Sequence, residues 1–325
     1  MSSPDSAFQN LARIFATRNN RILEIEILPP VLGPLLQDDC SIGITKKYLV
    51  QAFVTARRIF FKDPICRSDR DSSTASKDGD AGTTAINPEE KFEDFSICSE
   101  VILLFDCEHL TACNWRKKRL ASLIQRHELD HDNSGAWETL LQALHAEVSL
   151  MTSFLCSPLH RHTKSPTLWQ HRLWVLDKML RLRDIDRGTL RNLLEEELAI
   201  VLRAGELHPK NYYAFSYMRQ LHGILAEYMQ GSSSSLRLLA EPIIKTTLNW
   251  CQSHPADISG WMFALYVLEM VEDRGVRENA ISRVSRFALD IGWEGESLWT
   301  FVTLAAKAFN LTEPTRKVTP MDEFP

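Results

Sequence analysis

The sequence predicts an all-α fold, a superhelix of stacked antiparallel helical hairpins, and two observations carry that prediction. The first is a recurring phrase. Ser165-Pro166-Thr167-Leu168-Trp169-Gln170-His171-Arg172 and His208-Pro209-Lys210-Asn211-Tyr212-Tyr213-Ala214-Phe215 each join helix-entry chemistry to a large aromatic residue. Proline suits a first helical turn because its missing N–H would have no intrahelical partner there. Weaker copies run over Asp106–Lys117 and His254–Trp261. With Cys113, Trp169, Phe215 and Trp261 taken as equivalent, the intervals are 56, 46 and 46 residues. That is the length of a helix–turn–helix unit, and self-similarity at such a period marks a solenoid. The second observation is periodicity. Trp169, Leu173, Leu176 and Leu180 fall at i, i+4, i+7 and i+11, and Leu194, Leu198 and Val201 repeat the spacing. Each set makes one apolar face of a helix.

Taken in order, residues 1–63 are expected to form an N-terminal helical cap, with helices around Ala7–Ala16 and Lys46–Phe61. Between them, Pro29-Pro30 and Gly33-Pro34 forbid a continuous helix. An array needs such an atypical end unit because a bare end face would expose apolar surface. Residues 64–91 read as a disordered insertion. Ser68–Gly82 holds no aliphatic side chain larger than alanine, and nothing there offsets the entropy of ordering. Residues 92–310 read as helical repeats in five hairpins: Ser96–Phe105 with Leu110–Arg126, Ala136–Phe154 with Thr167–Leu182, Leu190–Arg203 with Asn211–Met229, Leu236–Gln252 with Ile258–Glu272, and Val276–Asp290 with Glu296–Phe309. Residues 311–325, with three prolines, are expected to be a flexible tail.

A net charge of −5 gives no reason to expect the nucleic-acid backbone as the main partner. Purely aliphatic or aromatic runs such as Val101–Phe105 are too short to cross a bilayer, so no membrane insertion is expected. The start Met1-Ser2-Ser3-Pro4 lacks a basic region followed by an apolar run, so no signal peptide is expected. The seven cysteines form no Cys-x-x-Cys pair and read as free thiols of a reducing compartment. A cytoplasmic protein is the expectation.

No self-sufficient active site is visible. There is no Gly-rich phosphate loop, no Gly-x-Ser-x-Gly elbow and no His-Glu-x-x-His. His160-Arg161-His162 and Asp130-His131-Asp132 read as solvated loops, not metal sites. Glu195-Glu196-Glu197 reads as a first-turn run favourable to the helix dipole. Trp169, Phe215 and Trp261 read as core residues between hairpins. Arg172, three residues after Trp169, lies on nearly the same helix face and is expected to meet a carboxylate or carbonyls at the hairpin interface.

The phrases Lys164-Ser165-Pro166-x-x-Trp169-x-His171-Arg172-x-Trp174-Val175-Leu176 and Pro209-Lys210-Asn211-Tyr212-x-Ala214-Phe215 resemble the repeat of protein prenyltransferase alpha subunits, approximately Pro-x-Asn-Tyr-x-Ala-Trp-x-x-Arg. Within that group the chain most resembles the branch called prenyltransferase alpha-subunit repeat-containing proteins. The resemblance covers roughly residues 95–270. Departures are Cys113 in place of the tryptophan, Met218 and Ala264 in place of the arginine, and Pro166 in place of a family tyrosine.

The resemblance implies a right-handed crescent and the role of alpha subunit in a protein prenyltransferase, most like a geranylgeranyltransferase. It implies a separate beta subunit, an α/α barrel, which would hold zinc and the prenyl diphosphate, with a cysteine-bearing protein as substrate. It implies no cofactor and no metal in this chain. Lys164 and Tyr212 match the family's lysine and tyrosine that contact the isoprenoid diphosphate, and Asn211 belongs to the same repeat turn. A surface lysine and a structural turn tyrosine are the other reading. The alternative for the whole chain is a non-enzymatic helical-repeat scaffold for protein interactions.

Overall fold

The structure, a computed structural model, describes residues 4–62, 88–130, 134–182, 186–228 and 233–311. It divides into two compact units, Met1–Met179 and Leu180–Pro325.

The first unit opens with α1 (Pro4–Ala16), strands β1 (Glu24–Leu28), β2 (Leu35–Asp38) and β3 (Ser41–Thr45), and α2 (Lys46–Phe60). The expectation of a purely helical cap is corrected here. The sheet order is β1-β3-β2, with β1 parallel and β2 antiparallel to β3. Period-two alternation explains it. Ile25, Ile42 and Ile44 are buried, while their neighbours Glu24, Glu26 and Ser41 face solvent. The outer edge of β1 is closed by a helix. Leu23 and Ile25 donate their backbone N–H groups to Ser153 Oγ and Ser157 Oγ, each at 2.8 Å. Ser153 lies in the last turn of α5 (Ser134–Leu155) and Ser157 two residues beyond its end, so two hydroxyls four residues apart do the work of a pairing strand.

Helix α3 (Pro88–Phe105) begins inside the stretch assigned from sequence to the insertion, so its last residues, 88–91, are helical. The remainder of that insertion, and residues 312–325 of the expected tail, lie outside the described residues. Then come α4 (Leu110–Leu129), α5 and α6 (Pro166–Arg181), joined by short connections. In the first unit α1, α2 and α3 pack mutually, α3 packs on α4, and α4 on α5.

The second unit is α7 (Arg187–Leu207), α8 (Tyr212–Tyr228), α9 (Ser233–Ser253), α10 (Ile258–Met270), α11 (Arg274–Asp290) and α12 (Glu296–Ala308). Beyond its hairpin partner, each helix meets its counterpart in the next hairpin: α7 meets α9, α9 meets α11, α8 meets α10, and α10 meets α12. Two layers of like helices are what stacked hairpins produce. The second-layer helices interlock through aromatic rings. Phe215 packs on Phe263 at 5.5 Å between centroids, and Trp261 on Phe301 at 4.9 Å. Among the described residues, no helix is long and apolar enough to cross a membrane.

Candidate functional site

The second helix of each of the first four hairpins starts on the same module. An N-cap side chain stands four residues before the signature position, and the backbone N–H of that position bonds back to the cap carbonyl. In α4 His109 Nδ1 accepts from Ala112 N and the signature residue is Cys113. In α6 Ser165 Oγ accepts from Leu168 N ahead of Trp169. In α8 Asn211 Oδ1 accepts from Ala214 N ahead of Phe215. In α10 Asp257 Oδ1 accepts from Ser259 N and Gly260 N ahead of Trp261. These caps satisfy backbone donors that the first helical turn leaves without partners. Burial lowers the pKa of His109, which keeps its ring neutral and its Nδ1 an acceptor.

The tryptophans add a second tie, from the indole N–H to the carbonyl six residues earlier. Trp169 donates to Thr163 O at 2.8 Å, Trp261 to Pro255 O at 3.0 Å, and Trp299 to Trp293 O at 2.8 Å. Trp299 is thus a further copy of the signature position that the sequence reading missed. It follows Trp261 by 38 residues, not 46, and its cap position is Gly295, which has no side chain. A Cβ there would stand 2.7 Å from the indole of Trp293, so glycine is required by close approach. Cys113, Trp169, Phe215 and Trp261 are all buried to 2% exposure or less, as expected for core residues.

Consecutive turns are also stapled to one another inside each unit. Ser165 Oγ donates to Cys107 O at 3.1 Å, Asp257 Oδ2 accepts from Lys210 N at 2.6 Å, and Ser297 Oγ donates to Ala256 O at 3.0 Å. At Ser165 and Asp257 the cap residue that starts a helix also fixes the preceding turn, whereas at α12 the staple comes from Ser297 in the first turn of the helix.

In the first unit, Lys164 ends a short 3-10 turn, His162–Lys164, directly before α6. Its neighbours His162, Thr163 and Ser165 are buried, while Lys164 itself is exposed. The solvated-loop reading of His160-Arg161-His162 is corrected at His162. That ring donates from Nε2 to Leu103 O at 3.0 Å, and burial brings its pKa down to about 4. His160 and Arg161 are exposed. The rigid anchoring of this turn comes from burying everything in it except the ammonium. Burial, aided by the Glu108 carboxylate, pushes the nearby Cys107 thiol up to about 11, and burial pushes Cys113 up to about 12. Neither is a thiolate at neutral pH.

In the second unit, Tyr212 opens α8 and is 59% exposed. Its position is set by two neighbours. Asn211 is fully buried and donates from Nδ2 to Ala204 O at 3.4 Å. Lys210 holds a left-handed backbone, φ 60°, which only the Asp257 staple and the tight turn explain. The first-turn reading of Glu195-Glu196-Glu197 is corrected: the run lies in the middle of α7, and Glu197 is buried and accepts the Tyr217 hydroxyl. Of Asp130-His131-Asp132, Asp130 caps the end of α4, and the rest lies outside the described residues.

Arg172 is buried and donates to Val148 O at 3.0 Å and Thr152 Oγ1 at 2.9 Å on α5. A carbonyl was expected; the threonine hydroxyl was not. The equivalent arginine of the first copy, Arg116, centres a larger network. It grips Glu147 with Nε and Nη2 at 2.7 and 2.8 Å, and His171 Nε2 donates to the same carboxylate at 2.7 Å. Burial alone would raise the Glu147 pKa, but Arg116 and His171 more than offset it and hold the carboxyl well below its usual range. Glu100 lies 3.4 Å from Arg116, and Arg18 lies 3.6 Å from Glu100. One side chain from each of α3, α4 and α5, with Arg18 just beyond α1, thus forms a buried alternating-charge chain, to which His171 of α6 is hydrogen-bonded. Among the described residues, no three His, Cys, Asp or Glu side chains gather so as to hold a metal ion.

A family model described as the ECM9 middle domain matches residues 173–289. A Danio rerio protein named protein prenyltransferase alpha subunit repeat-containing protein 1 is 29% identical over 159 residues, 43% of this chain and 35% of that relative. A Homo sapiens protein of the same name is 24% identical over 135 residues, 38% of this chain and 32% of that relative. The chain therefore spans about a third of the length of the curated relatives it matches. Both matches support the resemblance stated from the sequence: over part of its length the chain is similar to proteins named for the prenyltransferase alpha-subunit repeat.

Proposed function

We propose that this chain is the alpha subunit of a heterodimeric protein prenyltransferase. In this reading a separate beta subunit supplies zinc and the isoprenoid diphosphate, and the group transferred to a protein cysteine is geranylgeranyl. The observation that supports the reading is the placement of Lys164. A turn whose other side chains are buried and hydrogen-bonded presents one ammonium to its surroundings. Tyr212 is presented comparably on the anchor of Asn211. Each would donate to the departing diphosphate, where negative charge accumulates as the bond to the isoprenoid carbon breaks. No step of the chemistry is assigned to a metal ligand in this chain.

The test is reconstitution. Purified chain is incubated with geranylgeranyl diphosphate and a cysteine-terminated acceptor peptide, alone and after co-expression with prenyltransferase beta subunits. The expected result is a stable heterodimer with turnover, and none by the chain alone. Turnover by the isolated chain would overturn the assignment of the chemistry to a partner. A chain that stays monomeric with every beta subunit overturns the reading in favour of an interaction scaffold.

A further inference from the structure

The three-stranded sheet of the first unit has one closed edge and one open edge. At β1 the backbone N–H groups of Leu23 and Ile25 are taken by Ser153 and Ser157. Among the described residues, no group plays that part at β2. Thr45 donates its backbone N–H to Pro34 O, so by the alternation of an antiparallel ladder Leu36–Gly43 and Asp38–Ser41 are the pairs bonded to β3. The N–H and C=O groups of Leu35 and Gln37 then point away from the sheet. Gln37 and Asp38 are exposed and Leu36 is 51% exposed, so solvent reaches this edge. Proteins usually blunt such an edge with lysine, proline or a covering element. Pro34 stands just before β2, but within Leu35–Asp38 neither lysine nor proline interrupts the outward groups.

The sheet face beside that edge is hollowed. Register sets two rows across the strands, Glu26–Gly43–Leu36 and Glu24–Ser41–Asp38, each with a small residue on the central strand. The hollow holds about 580 Å³, with Leu28, Leu36 and Pro158 as apolar lining. A Cβ at Gly43 would collide with Leu28, so glycine is what lets Leu28 approach the central strand. No basic side chain lines the hollow. Glu26 and Asp38 do line it, and neither carboxylate has an ion-pair partner among the described residues. Glu24 stands in the lining too and already takes part in another interaction. The cation before β1, Arg21, is paired with Asp39. On the turn leading into β2, Val31 and Leu32 are 87% and 50% exposed, which adds apolar surface to the same short segment.

We propose that β2 is a docking edge for an extended, basic segment of a partner protein, which joins the sheet as a fourth strand. The outward main-chain groups of Leu35 and Gln37 bind the backbone of the segment, and its side chains, alternating onto the hollowed face, provide the selection. One apolar side chain lies against Leu36, and two residues along the same face a lysine or arginine meets Asp38. Residues directly opposite on neighbouring strands have their Cβ atoms about 5 Å apart, so both contacts are within reach. The charge of the segment follows from Glu26 and Asp38, since an acidic strand laid there would place like charges side by side. The site includes neither Lys164 nor Tyr212 and is independent of the transferase reading.

The experiment titrates a fluorescein-labelled peptide, Thr-Val-Thr-Lys-Thr-Val-Thr-Lys, with the full chain and reads fluorescence anisotropy. Saturable binding is expected, and glutamate in place of both lysines should weaken it tenfold or more. Two further peptides, one N-methylated at the threonines and the other at the valines and lysines, keep the charge but block strand pairing on opposite edges. At least one of them should also lose tenfold or more. In the chain, Asp38→Lys should weaken binding at least tenfold. Gln37→Pro, which removes an outward N–H and no bond to β3, should do the same, with circular dichroism and melting temperature close to wild type in both variants. The proposal is overturned if the peptide does not saturate, if the glutamate peptide binds as tightly, if both N-methylated peptides bind unchanged, or if Asp38→Lys leaves the affinity unchanged. A dimer in sedimentation that Gln37→Pro dissociates assigns the edge to a second copy of this chain and overturns the proposal as well.

Discussion

At the scale of single residues, the signature turns separate what holds the fold from what is displayed on it. Trp169 is 1% exposed and tied through its indole N–H, whereas Lys164, five residues earlier, is exposed. Lys164→Ala and Tyr212→Phe should therefore leave the melting temperature nearly unchanged. In the reconstituted heterodimer each should lower turnover by roughly a hundredfold, since one donor to developing charge is worth on the order of 3 kcal/mol. Trp169→Ala should do the opposite and destabilise the chain by roughly 3–5 kcal/mol through the cavity left behind. Steady-state kinetics beside thermal melts separates the two classes. A Lys164→Ala heterodimer within about twofold of wild-type turnover would make that lysine a bystander, because tenfold corresponds to 1.36 kcal/mol.

At the scale of elements, two devices organise the helices. The first is the cap that also staples. Asp257 accepts two N–H groups of α10 and the N–H of Lys210 in the preceding turn. An N-cap alone is worth about 1 kcal/mol, and a donor stranded in a buried turn adds a comparable amount. Asp257→Ala should thus cost about 2–3 kcal/mol by urea unfolding, and Asp257→Asn less, because it retains one acceptor oxygen. Equal losses for the two variants would argue against the staple. The second device is the buried ion chain. Removing one partner leaves a charge without compensation, so Glu147→Ala should destabilise by about 3–5 kcal/mol. The double replacement Arg116→Met with Glu147→Leu, which removes both charges, should be far milder. A double variant as unstable as the single one would mean the pair stabilises the fold on its own account.

At the scale of the whole molecule, two buried histidines give the protein an acid-sensitive stability. Burial brings His162 in the first unit and His222 in the second down to about 4. Unfolded, each regains a pKa near 6.5 and binds a proton that the folded ring refuses. The stability they contribute is complete above pH 6.5 and is lost as pH falls from 6.5 toward 4, about 3 kcal/mol for each ring. Glu147, depressed in the fold, adds a further loss below the ordinary carboxylate range. Unfolding curves at intervals from pH 7.5 to 4 should show the decline, and the variant His162→Gln with His222→Gln should flatten it. An unchanged slope in that double variant would rule out these rings as its origin.

The sequence by itself determined the helical array. Apolar residues at a 3.6-residue period and cap residues four ahead of a large side chain are local signals, and they located the helices from Ser96 to Phe309 to within a few residues except at some ends, the largest departure being the start of α3 at Pro88. It also determined that Trp169, Phe215 and Trp261 would be core. The small sheet was harder to read, because strands of four or five residues, the first two separated by Pro29, Pro30 and Pro34, are too short for their alternation to stand out. What only the tertiary structure decided was pairing across distance. Nothing near Arg116 in sequence announces Glu147 as its partner, or His171 as a third member, since a helix face says which way a side chain points and not what arrives opposite it. His162 reads as a polar loop residue until Leu103 O is brought to within 3.0 Å. The fifth signature position, Trp299, became recognisable only through its bond to Trp293 O, because its interval and its glycine cap depart from the pattern. Local chemistry sets where helices begin and which faces are apolar, whereas a buried charge finds its counter-charge only after several helices have packed.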